Sequence, residues 1–181
     1  MEQNKNNELL ALIRTGEHSH IIKAIETYKQ KGDLQLLSAL IELLYDTENQ
    51  EIIDEIFSFL NDLKSDTALN VLIEFIQNDM DGIWKKELIT AVWQSGMDAS
   101  SFLSIFIDIV IEDEFITAFE ASTVIENIQH QMPVALIEEN IKKLEGALSS
   151  ISADKKSLLE SLITTLKNFK IGGFTHYFSE N

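Results

Sequence analysis

The sequence predicts an all-α fold, a solenoid of about five antiparallel helix pairs. Three observations indicate it: a recurring apolar-apolar-acidic phrase, helix caps with a matching period, and a scarcity of turn residues. The phrase occurs four times, at steps of 32, 34 and 30 residues, as Leu40-Ile41-Glu42, Leu72-Ile73-Glu74, Phe106-Ile107-Asp108 and Leu136-Ile137-Glu138. Seven glycines and one proline in 181 residues suit long helices joined by short loops.

The first helix of each repeat carries one apolar stripe. Leu37, Leu40, Ile41 and Leu44 stand at positions i, i+3, i+4 and i+7, which is the spacing of one helix face. The same pattern returns around the second and third phrases. We therefore expect these stripes to form the core.

Residues at the helix ends follow the same period. Three aspartates precede these helices at steps of 33 and 32 residues: Asp33, Asp66 and Asp98. Aspartate accepts hydrogen bonds from the free N–H groups of a helix start. Gly32 and Gly96 suit the left-handed end of a preceding helix, and Pro133 suits a helix beginning. The caps and the stripes thus predict the same repeat boundaries.

Each repeat also contains a second helix, and a shorter pair precedes the first full repeat. That pair covers residues 7–15 and 19–31, with a break at Gly16, and is expected to close the hydrophobic end of the array. The predicted organisation is one domain over residues 1–181. Its parts are a capping pair (1–32), three core repeats (33–131), a C-terminal repeat (132–170) and an aromatic tail (171–181).

These two-helix repeats of about 32 residues resemble HEAT-like repeats over roughly residues 7–170, especially the short bacterial type named after phycobilisome lyases. The stretch Trp84-Lys85-Lys86-Glu87-Leu88-Ile89-Thr90-Ala91-Val92 is similar to the second helix of that family. The resemblance implies a right-handed, armadillo-like α-solenoid whose second helices line its concave side. It implies no particular reaction.

The composition restricts the classes of partner. Thirty acidic residues against 14 basic ones give a net charge of −16, and Arg14 is the only arginine, so nucleic-acid binding is not expected. Cysteine is absent. The N-terminal residues are polar, and no run of 18 uncharged apolar residues occurs, so we expect a cytoplasmic protein without a membrane span.

No motif for catalysis, cofactor binding or metal binding stands out. Asp79-Met80-Asp81-Gly82 resembles the middle of a calcium-binding loop, but the residues at the first and last ligand positions are unsuitable. The stretch is therefore interpreted as a turn between helices. Ser152 and Lys155 have the spacing of some acyl-transfer enzymes, without the companion motifs, and are interpreted as a helix start. The histidines lack the spacing of metal ligands. The sequence therefore predicts no enzyme, no cofactor and no metal site.

Trp93 interrupts the repeat and is the first candidate for a binding residue. It lies about 160° from the centre of the predicted buried face of its helix, and its equivalents, Asn61 and Glu126, are polar. Tryptophan is enriched in binding hot spots. The alternative is that Trp93 packs sideways on a neighbouring repeat or under the C-terminal tail. The candidate groove consists of Trp93, Lys86, Thr90, Met97, Asp54, Ser58, Asn61, Phe119, Thr123 and Glu126.

The tail is the second candidate. Phe174, Tyr177 and Phe178 follow Gly172-Gly173 and place three aromatic residues within five positions. The tail is expected either to fold back over the end of the array or to dock on a partner or a second copy of the chain.

Three functions are compatible with these features. The favoured one is a non-enzymatic module whose concave face binds a protein or peptide, with basic partners preferred because complementary charge speeds encounter. The alternative is an acidic inhibitor or immunity-type protein that blocks a nucleic-acid-binding enzyme. An enzyme is the third, and would need a cluster of buried carboxylates in the groove.

Overall fold

The computed structural model describes residues 2–79 and 81–175, with side chains from residue 8 to residue 170. All regular secondary structure of the described residues is helical, without a strand, which confirms the predicted all-α class. A short 3-10 helix, Ser100–Phe102, stands before α7. The ten α-helices are α1 (Glu2–Ile13), α2 (His18–Lys31), α3 (Leu34–Asp46), α4 (Gln50–Asn61), α5 (Asp66–Asn78), α6 (Lys85–Ser95), α7 (Leu103–Glu112), α8 (Phe115–Glu126), α9 (Val134–Ala147) and α10 (Ala153–Thr175).

The chain divides into two compact units, Met1–Met97 and Asp98–Asn181. In the N-terminal unit, α3 packs beside α1 and α5, and α4 packs beside α2 and α6. Odd and even helices therefore form two layers, joined by contacts such as α2 with α3 and α5 with α6. The stripe predicted from the repeat lies between these layers, since Leu37, Leu40, Ile41 and Leu44 are all buried.

The C-terminal unit repeats this arrangement on a smaller scale. Here α7 packs beside α9, α8 packs beside α10, and α7–α8 and α9–α10 are packed pairs. Phe106 and Ile107, from the third copy of the phrase, are completely buried. Asp108 and Glu138 are not buried and form ion pairs with Lys143 and Lys170, so here the acidic position of the phrase is an outer position.

The helix ends agree with the predicted caps in most places. Gly32 and Gly96 end α2 and α6 with φ of 64° and 68°, and the Asp33 carboxylate accepts from the N–H of Gln35 at 2.9 Å. Asp66 instead is the first residue of α5, after Ser65 at the N-cap. The Asp98 carboxylate accepts from the N–H of Ser100, the first residue of the 3-10 helix, rather than from α7. Both shifts keep the carboxylate close to free N–H groups.

Lys155, in the helix start predicted at residues 152–155, connects α10 to the end of α7. The residue is only 5% exposed, and its Nζ donates to the carbonyl oxygens of Ile111 (2.8 Å) and Asp113 (2.6 Å) at the end of α7. Burial lowers the pKa of this amine, and the nearby carboxylates of Asp113 and Asp154 act in the opposite direction. The lysine therefore closes the C-terminal end of a helix, where a cation is favoured.

The last helix extends into the region predicted as a tail. α10 continues through Gly172 and Gly173 to Thr175. The backbone of Phe174 thus belongs to α10, whereas its side chain, and all of Tyr177 and Phe178, lie outside the described residues. The two roles proposed for the tail stay predictions.

Candidate binding surface

The predicted groove residues of the N-terminal unit, except Met97 after the end of α6, lie on two adjacent helices. Asp54, Ser58 and Asn61 are on α4, whereas Lys86, Thr90 and Trp93 are on α6, and α4 packs beside α6. On α4, Asp54 and Ser58 are exposed. The remaining predicted groove residues here are half-buried: Asn61, Lys86, Thr90, Trp93 and Met97. The two helices thus form a partly covered polar surface.

Polar contacts order this surface. Gln50 Nε2 donates to Asp54 Oδ1 at 2.7 Å, one helical turn away. On α6, the Thr90 hydroxyl donates to the carbonyl oxygen of Lys86 at 3.0 Å, and Lys86 Nζ lies 2.8 Å from Glu87 Oε1. Trp93 is half-buried, so only part of its indole is available to a ligand. The role of Trp93 as a binding anchor stays a prediction.

Trp84, the first residue of the stretch similar to a HEAT-like second helix, lies just before α6 rather than within it. It occupies the N-cap of α6, is half-buried, and its Nε1–H donates to the carbonyl oxygen of Leu44 at 2.9 Å. Its ring centroid lies 5.5 Å from that of Phe57 on α4, at an interplanar angle of 53°. The reason is local, because the chain between α5 and α6 turns at residue 84 before the helix begins.

The turn before Trp84 is held by Asp79. This side chain is 7% exposed, and its two carboxylate oxygens accept from the N–H groups of Ile83 (3.1 Å) and Trp84 (2.7 Å). This agrees with the turn interpretation of residues 79–82. Burial, followed by the charge of Asp79 and a hydrogen bond to it, raises the pKa of Tyr45 to about 12. Asp79 therefore joins the loop to the end of α3.

Among the described residues, three of the exposed large apolar side chains lie on α8, in the C-terminal unit. The α8 patch consists of Phe115, Ile116 and Phe119, whose exposed fractions are 41%, 59% and 51%. The two phenylalanine rings stack with their centroids 6.4 Å apart at 30°. On the helical wheel the patch spans about 100°, and Thr123 (half-buried) and Glu126 (exposed) fall within the same arc.

Sequence reasoning found part of this surface. Phe119, Thr123 and Glu126 were predicted, whereas Phe115 and Ile116 were missed. The signal was present, because both residues fall outside the arc that holds the buried side of α8: Thr117, Ala118, Ala121, Ser122, Val124 and Ile125. The missed residues precede the stretch that aligns between repeats, so the comparison of repeats did not include them.

The charge is unevenly distributed along the chain. Residues 32–141 carry 22 acidic and three basic side chains, a net charge of −19. The remaining residues carry eight acidic and 11 basic side chains, a net charge of +3. Between Lys86 and Lys142 there are 55 residues without a lysine or arginine. The α8 patch therefore belongs to the most acidic stretch of the sequence.

The N-terminal unit also has an open pocket of about 350 Å³ between α1 and α3. Its lining residues are Leu10, Arg14, Leu34, Gln35, Ser38, Ala39 and Glu42. Arg14 and Glu42 give it one positive and one negative group. The sequence offered no signal for this pocket, because its two walls come from different helix pairs.

Titratable side chains outside these surfaces form only small groups. His130 Nδ1 lies 3.3 Å from Asp98 Oδ1, and His20 Nδ1 lies 3.1 Å from the hydroxyl of Thr15. Within the described part of the chain, no three His, Asp or Glu side chains come together in a way that could hold a metal ion. No described helix combines the length and apolar character needed to cross a membrane.

Comparison with known proteins supplies no relative. The sequence matches no protein-family model, and no curated protein or solved structure is detectably similar to it.

Proposed function

We propose that the protein is a non-enzymatic binding module, a HEAT-like α-solenoid that presents an acidic concave face to a basic protein or peptide. The observation that carries the proposal is the concentration of charge, −19 within residues 32–141. The side-by-side packing of alternate helices inside each unit supports the solenoid part, since stacked helix pairs produce this pattern.

Charge of this density acts mainly on encounter and selectivity. A strongly negative surface steers basic molecules towards it and repels acidic ones, and this effect weakens as salt is added. Affinity itself needs an apolar anchor that excludes water, because solvent-exposed ion pairs contribute little. The acidic helices and the α8 patch would supply these two contributions.

The test is a quantitative pull-down from native lysate with two charge variants of equal net charge. One variant, Glu51→Gln with Asp54→Asn, neutralises exposed residues of α4, in the even-numbered layer. The matched control, Glu42→Gln with Glu74→Gln, neutralises exposed residues of α3 and α5, in the odd-numbered layer. We expect one basic protein to be enriched with the wild type and with the control, and to be enriched less with the α4 variant.

Two results would contradict the proposal. Equal loss with both variants would mean that the captured protein responds to net charge alone. If no basic protein is enriched over the lysate at low salt, the acidic face does not serve as a docking surface. In either case the Arg14 pocket would become the next candidate, for a small ligand.

The same charge also supports the second candidate, an inhibitor that blocks a nucleic-acid-binding enzyme. A mimic of a phosphate backbone needs regularly placed carboxylates, whereas Phe115, Ile116 and Phe119 offer apolar area that a phosphate backbone does not have. The patch therefore favours the binding module. Competition by duplex DNA for the captured protein would reverse this preference.

A further inference from the structure

We propose that the exposed face of α8 docks an amphipathic helix that carries lysine or arginine beside a short apolar stripe. This inference rests on the proposed function, because it names the chemistry of one segment of the basic partner and the helix on which that segment docks. The supporting observation is that the α8 patch lies within an acidic stretch of the sequence that contains no lysine or arginine.

The apolar contribution comes from three neighbouring side chains. Phe115, Ile116 and Phe119 stand at positions i, i+1 and i+4 of α8, and the stacked phenylalanine pair forms one continuous apolar surface. Single exposed apolar residues are common on proteins, but adjacent large ones on one helix face mark an interaction site. Covering these side chains would recover burial energy that the chain alone leaves unused.

The charge contribution comes from exposed carboxylates on the same element. Glu114 immediately precedes Phe115, and Glu126 lies on the same helical arc as the patch. Three of the four lysines of the adjacent helix α10 bond to other elements: Lys155 to the end of α7, and Lys167 and Lys170 to Glu145 and Glu138 of α9, whereas Lys156 is exposed. Most of the nearby cations are thus already paired, and a basic partner would complement the carboxylates of α8.

The secondary structure of the partner follows from backbone hydrogen bonding. An extended peptide gains affinity by pairing with the edge of a sheet, and the described residues offer no strand. A helix satisfies its own N–H and C=O groups and can lay an apolar stripe along another helix. The 12 residues of α8 span roughly 18 Å, enough for three turns of such a partner.

A leucine–lysine peptide tests the inference directly. The probe has about 18 residues, with leucines at helical i, i+3, i+4 and i+7 spacing and lysines elsewhere. The first control has the same composition in an order that scatters the leucines around the helix, and the second replaces every lysine with glutamate. Binding to the full chain is measured by fluorescence anisotropy over a salt series, and peptide helicity by circular dichroism.

We expect the patterned lysine peptide to bind at least about tenfold more tightly than the scrambled one and to gain helicity on binding. Phe119→Ala should weaken it about tenfold, a typical loss for a central anchor. Glu114→Gln with Glu126→Gln should weaken it about threefold and reduce the salt dependence. The matched control, Ile83→Ala, removes an exposed apolar side chain from the N-terminal unit and should leave the dissociation constant unchanged.

The outcomes separate this inference from the proposed function. Equal binding of the two lysine peptides, or a Phe119→Ala dissociation constant within about twofold of the wild type, would overturn helix docking and leave a purely electrostatic basic site. If neither lysine peptide binds at low salt, or the glutamate peptide binds equally well, both proposals fail. Thermal melts of the variants show whether any loss of binding reflects unfolding instead, and Phe119→Leu keeps apolar area if Phe119→Ala does not fold.

Discussion

Two of the aromatic pairs among the described residues, Trp84 with Phe57 and Phe115 with Phe119, are arranged in opposite ways. In the N-terminal unit, Trp84 packs on Phe57, and its N–H group is bonded to the carbonyl oxygen of Leu44. In the C-terminal unit, Phe115 stacks on Phe119, and both rings stay largely in contact with solvent. One pair connects the parts of its unit, whereas the other is displayed on a single helix.

The difference shows how an aromatic side chain that stabilises the fold is distinguished from one that is available for binding. The Trp84 ring contacts α4, and its N–H satisfies a carbonyl group at the end of α3, so removing it would disturb three elements at once. Phe115 and Phe119 have no polar edge, and both belong to α8. We therefore expect the first pair to affect folding and the second to affect binding.

The largest effect is expected for Trp84. Trp84→Ala should lower the free energy of unfolding by about 3 kcal/mol, because it removes a large half-buried ring and leaves the carbonyl group of Leu44 without its donor. Urea denaturation followed by circular dichroism measures this change. Trp84→Phe keeps a ring against Phe57 and should lose less unfolding free energy. An Ala variant as stable as the wild type would show that this pair, like the α8 patch, does not stabilise the fold.

Asp79 should have the next largest effect. Asp79→Ala should cost about 2 kcal/mol of unfolding free energy, because two backbone N–H groups lose a charged acceptor. Equilibrium unfolding measures the cost, with Asp81→Ala on the exposed side of the same turn as the control. If the two variants behave alike, the connection between the loop and α3 does not stabilise the Trp84 pair.

Alkaline pH provides a smaller and more specific test of that connection. The pKa of Tyr45 is raised from 10.0 to about 12, so in this range the folded protein holds the proton that the unfolded chain has released. Stability should therefore fall as pH rises from about 10 to about 12. Melting temperatures over this range should fall less steeply for Tyr45→Phe than for the wild type, and an identical slope would contradict the assignment to Tyr45.

The smallest effect is expected for the displayed pair. Phe115→Ala combined with Phe119→Ala should change the unfolding free energy by less than about 1 kcal/mol, because exposed side chains contribute little to folding. The same urea titration used for Trp84 measures it. A loss comparable to that of Trp84→Ala would show that the two pairs serve the same structural role.

The sequence predicted the features that recur in each repeat, but it did not predict contacts between residues that are distant in the chain. Leu40 and Ile41 were expected in the core because their spacing matches one helix face, and Gly32 and Gly96 were expected at left-handed helix ends. Such features depend on residues close together in the chain. The bond from Trp84 to Leu44 spans 40 residues, and local patterns carry no information about it.

The candidate surface shows the same division. Phe119 was found because its position aligns between repeats, whereas Phe115 and Ile116 belong to the variable start of α8 and became visible only through their exposure. Lys155 was assigned to a helix start, but its bonds to Ile111 and Asp113 depend on packing across more than 40 residues. Side-chain contacts of that kind require the folded arrangement.

The packing of alternate helices has a consequence for the kinetics of folding. Within each unit, every helix packs mainly on the next helix or the one after it, so few contacts require the closure of a long loop. Chains with such short-range contacts fold rapidly. A helix pair would therefore begin to form while the ribosome is still adding the next one.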